Sequence, residues 1–364
     1  MRIRAIYCCF LLLVLPGQGG AAFASETLFD DEISRVLYRA NETDDEIANA
    51  DRIYNDNKVT LYLKAIMDKL YPEYTEVFRI RIYLSTEINA FVLPNGSVYV
   101  NLGLLATAGS EAQIASILSH EGAHYVQNHQ LQKQQNLKDV VSGAEFFGFE
   151  RSLTYLSDYS IELELEADNL GFDRLVNAGY DPNEAVKMFK TIADEIKLYD
   201  IKERNLYSTH PKIMERVHHF AELSRGHSGF VGKEAYLSKT SDLRVKDYDL
   251  SLSKYRFKSV LFALKSKNQI AQAPLEAWFY LGEAYRQRGE PSDKANAESA
   301  YLRAIELLPD FAPSYAALGV LYMKNNEYPK ALTQFEKYLT LSPDSQNNAY
   351  IRQYYNDIKG KVSP

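Results

Sequence analysis

Cysteine is almost absent from this chain of 364 residues, which contains only Cys8 and Cys9, both near its start. The remainder can form no disulfide and offer no thiolate, so any metal bound there must be held by histidines and carboxylates. Long runs of lysine or arginine are also missing, and the formal net charge is −7. An acidic chain of this kind is a poor nucleic-acid binder, and we predict no nucleic-acid partner.

Long apolar runs are scarce as well, and the one near the start covers only Ala5 to Leu15. It follows Arg2 and Arg4 and precedes the small-x-small sequence Ala22-Phe23-Ala24, which is typical of a cleaved secretory signal. A run of this length is too short to span a bilayer, which favours a signal peptide at 1–24 over a membrane anchor. We therefore expect an exported protein with no transmembrane segment after signal cleavage.

Histidines are concentrated in the stretch SILSHEGAHYVQNH, where His120 and His124 lie four residues apart around Glu121. On a helix these two imidazoles share one face and can reach a single ion, while the glutamate beside them can hold a water. This HExxH arrangement is that of zinc peptidases. His129 lies about 140° from His124 on a continuous helix, and we predict a structural or supporting role for it.

Helix signals surround this motif. Ser110 and Gln113 form a capping box, which predicts a helix from there through the histidines to about His129. A catalytic zinc usually has three protein ligands, and the segment ELELEAD supplies four further acids. Glu162 and Glu166 share one helical face, whereas Glu164 and Asp168 share another. The pattern alone does not choose between the two pairs.

Three segments, HEGAHYVQNH, ELEADNLG and STHPKIMER, together resemble the gluzincin family that includes the HtpX-type proteases and the CAAX prenyl proteases. The resemblance covers roughly residues 59–223. It implies a zinc metalloendopeptidase that binds one Zn²⁺ per chain and acts on protein or peptide substrates. The metal ligands that it implies are His120, His124 and Glu164, with Glu121 as the catalytic general base.

The resemblance also implies three supporting residues. Asp168 would hold the far ring nitrogen of a ligand histidine, and Arg216 would orient a carboxylate near the site. His210 would lie beside the metal as a catalytic residue. Two roles remain open for it: a stabiliser of the oxyanion, or a removable fourth ligand that closes the site.

A β-hairpin is predicted just before the motif. Pro94-Asn95-Gly96 separates two apolar runs and is strong turn chemistry, and the preceding RIRIYLS alternates as a strand does. This hairpin resembles the one that leads into the family's active-site helix. We expect an extended substrate to pair as an added strand with Ala90, Phe91, Val92 and Leu93.

The last third of the chain repeats itself. The pattern Trp278-x2-Leu281-Gly282-x2-Tyr285 recurs from Tyr315 onward, which is the tetratricopeptide (TPR) signature of a helix-turn-helix unit. Such hairpins present a groove to a partner. The residues that we predict to line it are Phe279, Glu283, Arg286, Val320 and Lys324.

The predicted fold is mainly α with a small β-sheet. It comprises an α+β zincin-like protease domain at 25–225, a linker at 226–248, and an all-α TPR domain with flanking and capping helices at 249–364. Export and TPRs make the chain similar to periplasmic members of the family. We expect a periplasmic endopeptidase, peripheral to the outer membrane, that degrades misfolded or unassembled envelope proteins in outer-membrane quality control. The outer-membrane assembly machinery is the expected TPR partner. The alternative function is a TPR chaperone or adaptor whose protease site is latent.

Overall fold

The structure, a computed structural model, describes residues 19–132, 159–199, 213–264, 266–346 and 348–361. Within these ranges it is mainly helical with one small sheet and a helical-repeat region, which confirms the predicted fold class. No helix of the described ranges is long and apolar enough to cross a membrane. The strands β1, β2 and β3 are Arg79–Tyr83, Ala90–Val92 and Ser97–Asn101. Helices α1 to α7 are Gly19–Asn49, Asn57–Leu70, Leu102–Thr107, Glu111–Val126, Ile161–Asn177, Asn183–Leu198 and Ile213–Leu223.

Nine further helices follow within the described part of the chain after Leu223. Helices α8 to α11 are Lys233–Lys239, Ser241–Ser253, Phe257–Leu264 and Lys267–Ile270. Helices α12 to α16 are Ala277–Arg288, Asp293–Leu307, Ala312–Lys324, Tyr328–Leu341 and Asn348–Lys359.

The predicted hairpin is confirmed. Strand β2 pairs antiparallel with β3, placing Ala90 opposite Val100 and Val92 opposite Val98, while β1 runs parallel to β3 on the other side. Gly96 closes the turn with a positive φ of 82°, and a Cβ there would lie 2.7 Å from the Val77 carbonyl oxygen. The sheet order β1-β3-β2 leaves β2 at an edge.

The two faces of the sheet pack differently. One face packs against α2, α3 and α4 and forms part of the main core. Strand β2 contributes Ala90 and Val92 to this core. The other face is covered by α1, because the strand residues Phe91 and Tyr99, together with Leu93 just after β2, cluster with the helix residues Ala40 and Ile47. The sheet is therefore held rigidly beside α4.

Helices α4 and α5 lie close together. Ser110 caps α4 by accepting a hydrogen bond from the Gln113 amide at 3.3 Å. On α5, a Cβ at Gly171 would come within 3.1 Å of the His120 backbone nitrogen, so the missing side chain permits the close approach. This contact sets the acids of α5 against the histidines of α4.

Helix α4 ends before His129, the residue near which the sequence predicts its end. The helix stops at Val126, and Asn128 adopts a left-handed φ of 54°. Asparagine tolerates this region and commonly ends helices. The turn changes the direction of His129, so that its position no longer follows helical spacing.

The second half of the segment predicted as a linker, 226–248, is helical. Glycines loosen the chain only as far as Gly232, after which α8 and α9 are helical. Tyr236 is fully buried and donates a hydrogen bond to the Leu105 carbonyl oxygen at 2.7 Å, and Leu243 joins the main core. A segment without Gly or Pro and with apolar residues at helical spacing packs as helices.

Helices α12 to α15 form two helical hairpins, and α16 packs on the last of them through Ile351 and Ile358. Phe279, Glu283 and Arg286 are half-buried, Val320 is half-buried and Lys324 is exposed. Arg286 is paired with Glu283, which also accepts a hydrogen bond from Tyr301 of the neighbouring helix. Of the charged residues predicted to line the groove, Lys324 is therefore the most accessible.

Candidate metal centre

Three buried side chains meet where α4 and α5 touch. His120 and His124 of α4 and Glu164 of α5 place one ligand atom each within 4.8 Å of one another. The two Nε2 atoms are 3.0 Å apart, and the Glu164 oxygens lie 3.5 Å and 3.3 Å from them. All three side chains are at most 4% exposed. A buried carboxylate facing two imidazoles is costly unless something compensates for its lost hydration.

The geometry of this triad fits zinc. Tetrahedral zinc with bonds of about 2.0–2.1 Å needs donor atoms about 3.3 Å apart, and the three separations bracket that value. Two histidines and one glutamate are a known ligand set for catalytic zinc. The residues present therefore fit one zinc ion.

His120 is held from behind by a carboxylate. Its Nδ1 lies 2.9 Å from Asp168 Oδ1, which fixes Nε2 toward the triad. Arg216 of α7 donates to both oxygens of Asp168, from Nη2 at 2.6 Å and from Nε at 2.9 Å. Burial alone would raise the pKa of Asp168, but Arg216 and His120 outweigh it and lower that pKa to about 2. The carboxylate therefore stays charged.

His124 is held on two further sides. Tyr159 stacks on its ring with centroids 3.9 Å apart, and His129 Nδ1 lies 2.9 Å from its Nδ1. Burial, followed by the neighbouring His120, lowers the pKa of His124 to about 3. A neutral imidazole is the form that binds a metal.

Glu121 is buried beside this triad at 3% exposure. Together with His120 it borders a small cavity of about 40 Å³. The cavity has a largely apolar wall, formed by Ile88, Leu104, Ile117, Phe189, Ile192 and Ile213. A reacting group placed between the triad and this wall would be shielded from water, which strengthens electrostatic interactions there.

The strand predicted to bind substrate lies next to the triad, and all four of its residues are buried. Backbone bonds between Leu93 and Ser97 and between Asn89 and Asn101 face β3, so the backbone groups of Ala90 and Val92 point away from β3. The side-chain amide of Gln130 donates to the Val92 carbonyl oxygen. One backbone group on the outer edge of β2 is therefore already hydrogen-bonded to Gln130.

The sequence-predicted residues fall into three groups. Glu121, His120, His124, Glu164, Asp168 and Arg216 are brought together, and Ala90 to Val92 lie beside them. His210 lies outside the described residues. The groove residues of α12 and α14 belong to the repeat region and not to this centre.

Sequence reasoning missed several neighbours of the centre. His129 is the third histidine of the motif, but its contact with His124 depends on the turn at Asn128, which the sequence pattern does not predict. Tyr159 and Gln130 gave no signal, because their contacts join segments with no shared spacing. The apolar wall joins the loop before β2 with α3, α4, α6 and α7, which sequence patterns cannot bring together.

Comparison with known proteins agrees with this geometry. Residues 55–224 match the family described as peptidase family M48, and residues 300–333 match a tetratricopeptide repeat. The beta-barrel assembly-enhancing protease of Yersinia pestis is 27% identical over 54% of this chain and 44% of its own length. Metalloprotease YcaL of Escherichia coli is 26% identical over 39% of this chain and 60% of its own. Mitochondrial metalloendopeptidase OMA1 of Schizosaccharomyces pombe is 31% identical over 37% of this chain and 43% of its own length. The chain thus spans between 43% and 60% of the length of these relatives.

Proposed function

Because the chain carries a domain of peptidase family M48, we propose that it is a zinc-dependent endopeptidase of the cell envelope. The observation that carries this proposal is the buried triad of His120, His124 and Glu164 with Glu121 beside it. These three residues would hold one zinc ion through the two Nε2 atoms and the Glu164 carboxylate. When bound, zinc supplies a Lewis acid that polarises the scissile carbonyl and lowers the pKa of the attacking water.

Glu121 acts as the general base in this proposal. Its support is that Glu121 follows His120 on α4 and borders the same cavity. It takes a proton from the attacking water and later passes it to the leaving amine. Asp168 and Arg216 act indirectly, since they hold His120 in the orientation and tautomer that turn Nε2 toward Glu164 and His124.

Substrate binding follows from the edge position of β2. An extended chain could add to the outer edge through Ala90 and Val92 and would displace the Gln130 amide from Val92. The apolar wall would then receive one substrate side chain close to the scissile bond. We expect short or medium apolar side chains to be preferred there, because the space is only about 40 Å³.

The biological setting that we propose is envelope protein quality control. Relatives of this chain include a protein named for assisting β-barrel assembly, and the start of the sequence is typical of a periplasmic signal peptide. The substrates would be misfolded or unassembled envelope proteins. The helical repeats would bind such clients, or the outer-membrane assembly machinery, and bring them to the peptidase domain.

The experiment that tests this function uses the purified full chain and unfolded casein. Proteolysis should stop when the metal is removed with a chelator and should return when zinc is added. A quenched peptide with Leu at one position should be cut faster than the same peptide with Asp there. Activity that survives complete removal of the metal would contradict the proposal.

A further inference from the structure

A chain of contacts leads away from the back of His124. His124 Nδ1 lies 2.9 Å from His129 Nδ1, and His129 Nε2 lies 3.3 Å from Glu166 Oε2. Both imidazoles are fully buried, whereas the Glu166 side chain is 57% exposed. This series of side-chain contacts therefore begins in the metal centre and ends at the protein surface.

Only one arrangement of protons satisfies these contacts in a metal-binding site. His124 Nε2 faces Glu164 and His120, so its lone pair is the one available to a metal. The ring proton must then be on Nδ1, since a neutral imidazole carries one N–H and one lone pair. His124 Nδ1 donates to His129 Nδ1, which leaves the proton of His129 on Nε2, where it faces Glu166.

We propose that His129 is a positioning residue: it accepts the hydrogen bond from His124 Nδ1 and thereby fixes the orientation and tautomer that this ligand needs. The inference rests on the proposed metal site. Ligand histidines usually donate their second ring nitrogen to a carboxylate, a backbone carbonyl or water. Here His120 has such a carboxylate in Asp168, and His124 has an imidazole in its place.

The local backbone is built to bring His129 there. Helix α4 ends at Val126, and Asn128 adopts a left-handed φ of 54°, which returns the chain beneath the last turn. His129 is 0% exposed although it follows a turn. Tyr159 stacks on the His124 ring, but a stacked ring does not select which nitrogen carries the proton. His129 supplies an acceptor that makes this selection.

The test compares two substitutions of the same residue. In His129→Asn, the side-chain oxygen can accept near the place of Nδ1, whereas His129→Leu fills similar space without any acceptor. Zinc affinity is measured by competition with a chromophoric chelator on the purified full chain. We expect His129→Leu to weaken zinc binding by about 10- to 100-fold, the usual effect of losing such a partner, and His129→Asn to stay close to wild type.

Two controls accompany this comparison. Glu166→Gln changes only the exposed far end of the contact chain and should leave zinc affinity nearly unchanged. His218→Leu removes an exposed histidine whose Nδ1 lies 2.7 Å from the Met214 carbonyl oxygen, outside the triad, and should also match wild type. Circular dichroism of the metal-free forms establishes that each variant is folded.

A second measurement needs no substitution. Nitrogen NMR of the histidine-labelled, zinc-loaded wild type reports which ring nitrogen of each histidine is protonated. The proposal requires Nδ1–H at His124 and Nε2–H at His129, and the opposite tautomer at either residue would overturn it. Equal zinc affinities of His129→Leu and wild type would overturn it too, as would equal losses in the Leu and Asn variants, which would indicate a packing role. A wild type that binds no zinc would instead refute the proposed function.

Discussion

Removing the Asp168 carboxylate should damage both the fold and the metal centre, and the two effects can be separated. Asp168 and Arg216 form a two-pronged ion pair at 2.6 Å and 2.9 Å, with side chains only 2% and 8% exposed. In Asp168→Leu the guanidinium stays buried without its main partner. Loss of one member of a buried pair costs about 3–5 kcal/mol of unfolding free energy, and we expect a destabilisation in that range.

The effect on the metal has a different origin. Asp168 also holds His120 Nδ1 at 2.9 Å, and loss of such a partner weakens metal affinity by about 10- to 100-fold. Pairing Asp168→Leu with Arg216→Met removes both buried charges. Replacement of both partners by apolar residues is often neutral for stability, but Arg216 Nη1 also lies 3.5 Å from Glu164 Oε2, so the double variant should regain only part of the lost unfolding free energy and remain weak in zinc binding.

The assay combines urea unfolding of the metal-free proteins with chelator competition for zinc. Unfolding is followed by circular dichroism, because the single tryptophan, Trp278, lies in the repeat region and would report only on that part. If zinc affinity returned together with stability in the double variant, Asp168 would serve folding alone. A loss below about 1 kcal/mol in the single variant would show that the pair is not buried as described.

Three further predictions concern other parts of the molecule. Glu164→Ala should abolish zinc binding while Glu166→Ala should retain it, as metal analysis of the purified variants would show; full zinc occupancy in the first would mean that the wrong acid was assigned. Burial and then Glu195 raise the pKa of Asp247 to about 7. Because this pKa exceeds that of the unfolded chain, wild-type stability falls as pH rises from about 4 to 7. Asp247→Asn should therefore stabilise the protein by up to about 4 kcal/mol at pH 8 and by much less at pH 5, and equal thermal shifts at both would contradict the assignment. Lys324→Glu should weaken client binding in a pull-down and leave short-peptide cleavage unchanged, whereas a parallel loss of cleavage would show that the two regions do not act separately.

Much of the centre could be predicted from the sequence because its residues lie at helical spacing. The HExxH spacing predicts two ligands on one face of α4, and the structure places them 3.0 Å apart. The choice between the acid pairs of α5 needed the family resemblance. The physical reason appears in the packing: Gly171 lies against α4, and the buried face of α5 that it belongs to includes Glu164 and Asp168 but not Glu166.

Other features could not be predicted because they depend on where the chain leaves a regular element. On a continuous helix, His129 and His124 would point in different directions. The helix instead ends three residues before His129, and the turn at Asn128 brings the two rings together. The glycines near residue 230 favour a linker, whereas the segment after Gly232 is helical and buries Tyr236 in the main core. Contacts between distant segments decided both outcomes.

The central claim is that a metal held by the triad and a base at Glu121 together cleave peptide bonds. Zinc content and peptide turnover of wild type and Glu121→Gln, measured on the same preparations, test it most directly. We predict one zinc per chain in both proteins and a loss of turnover only in the variant, because Glu121 moves protons and the other three residues bind the metal. Equal turnover in the two proteins, or loss of zinc from the variant, would contradict the account.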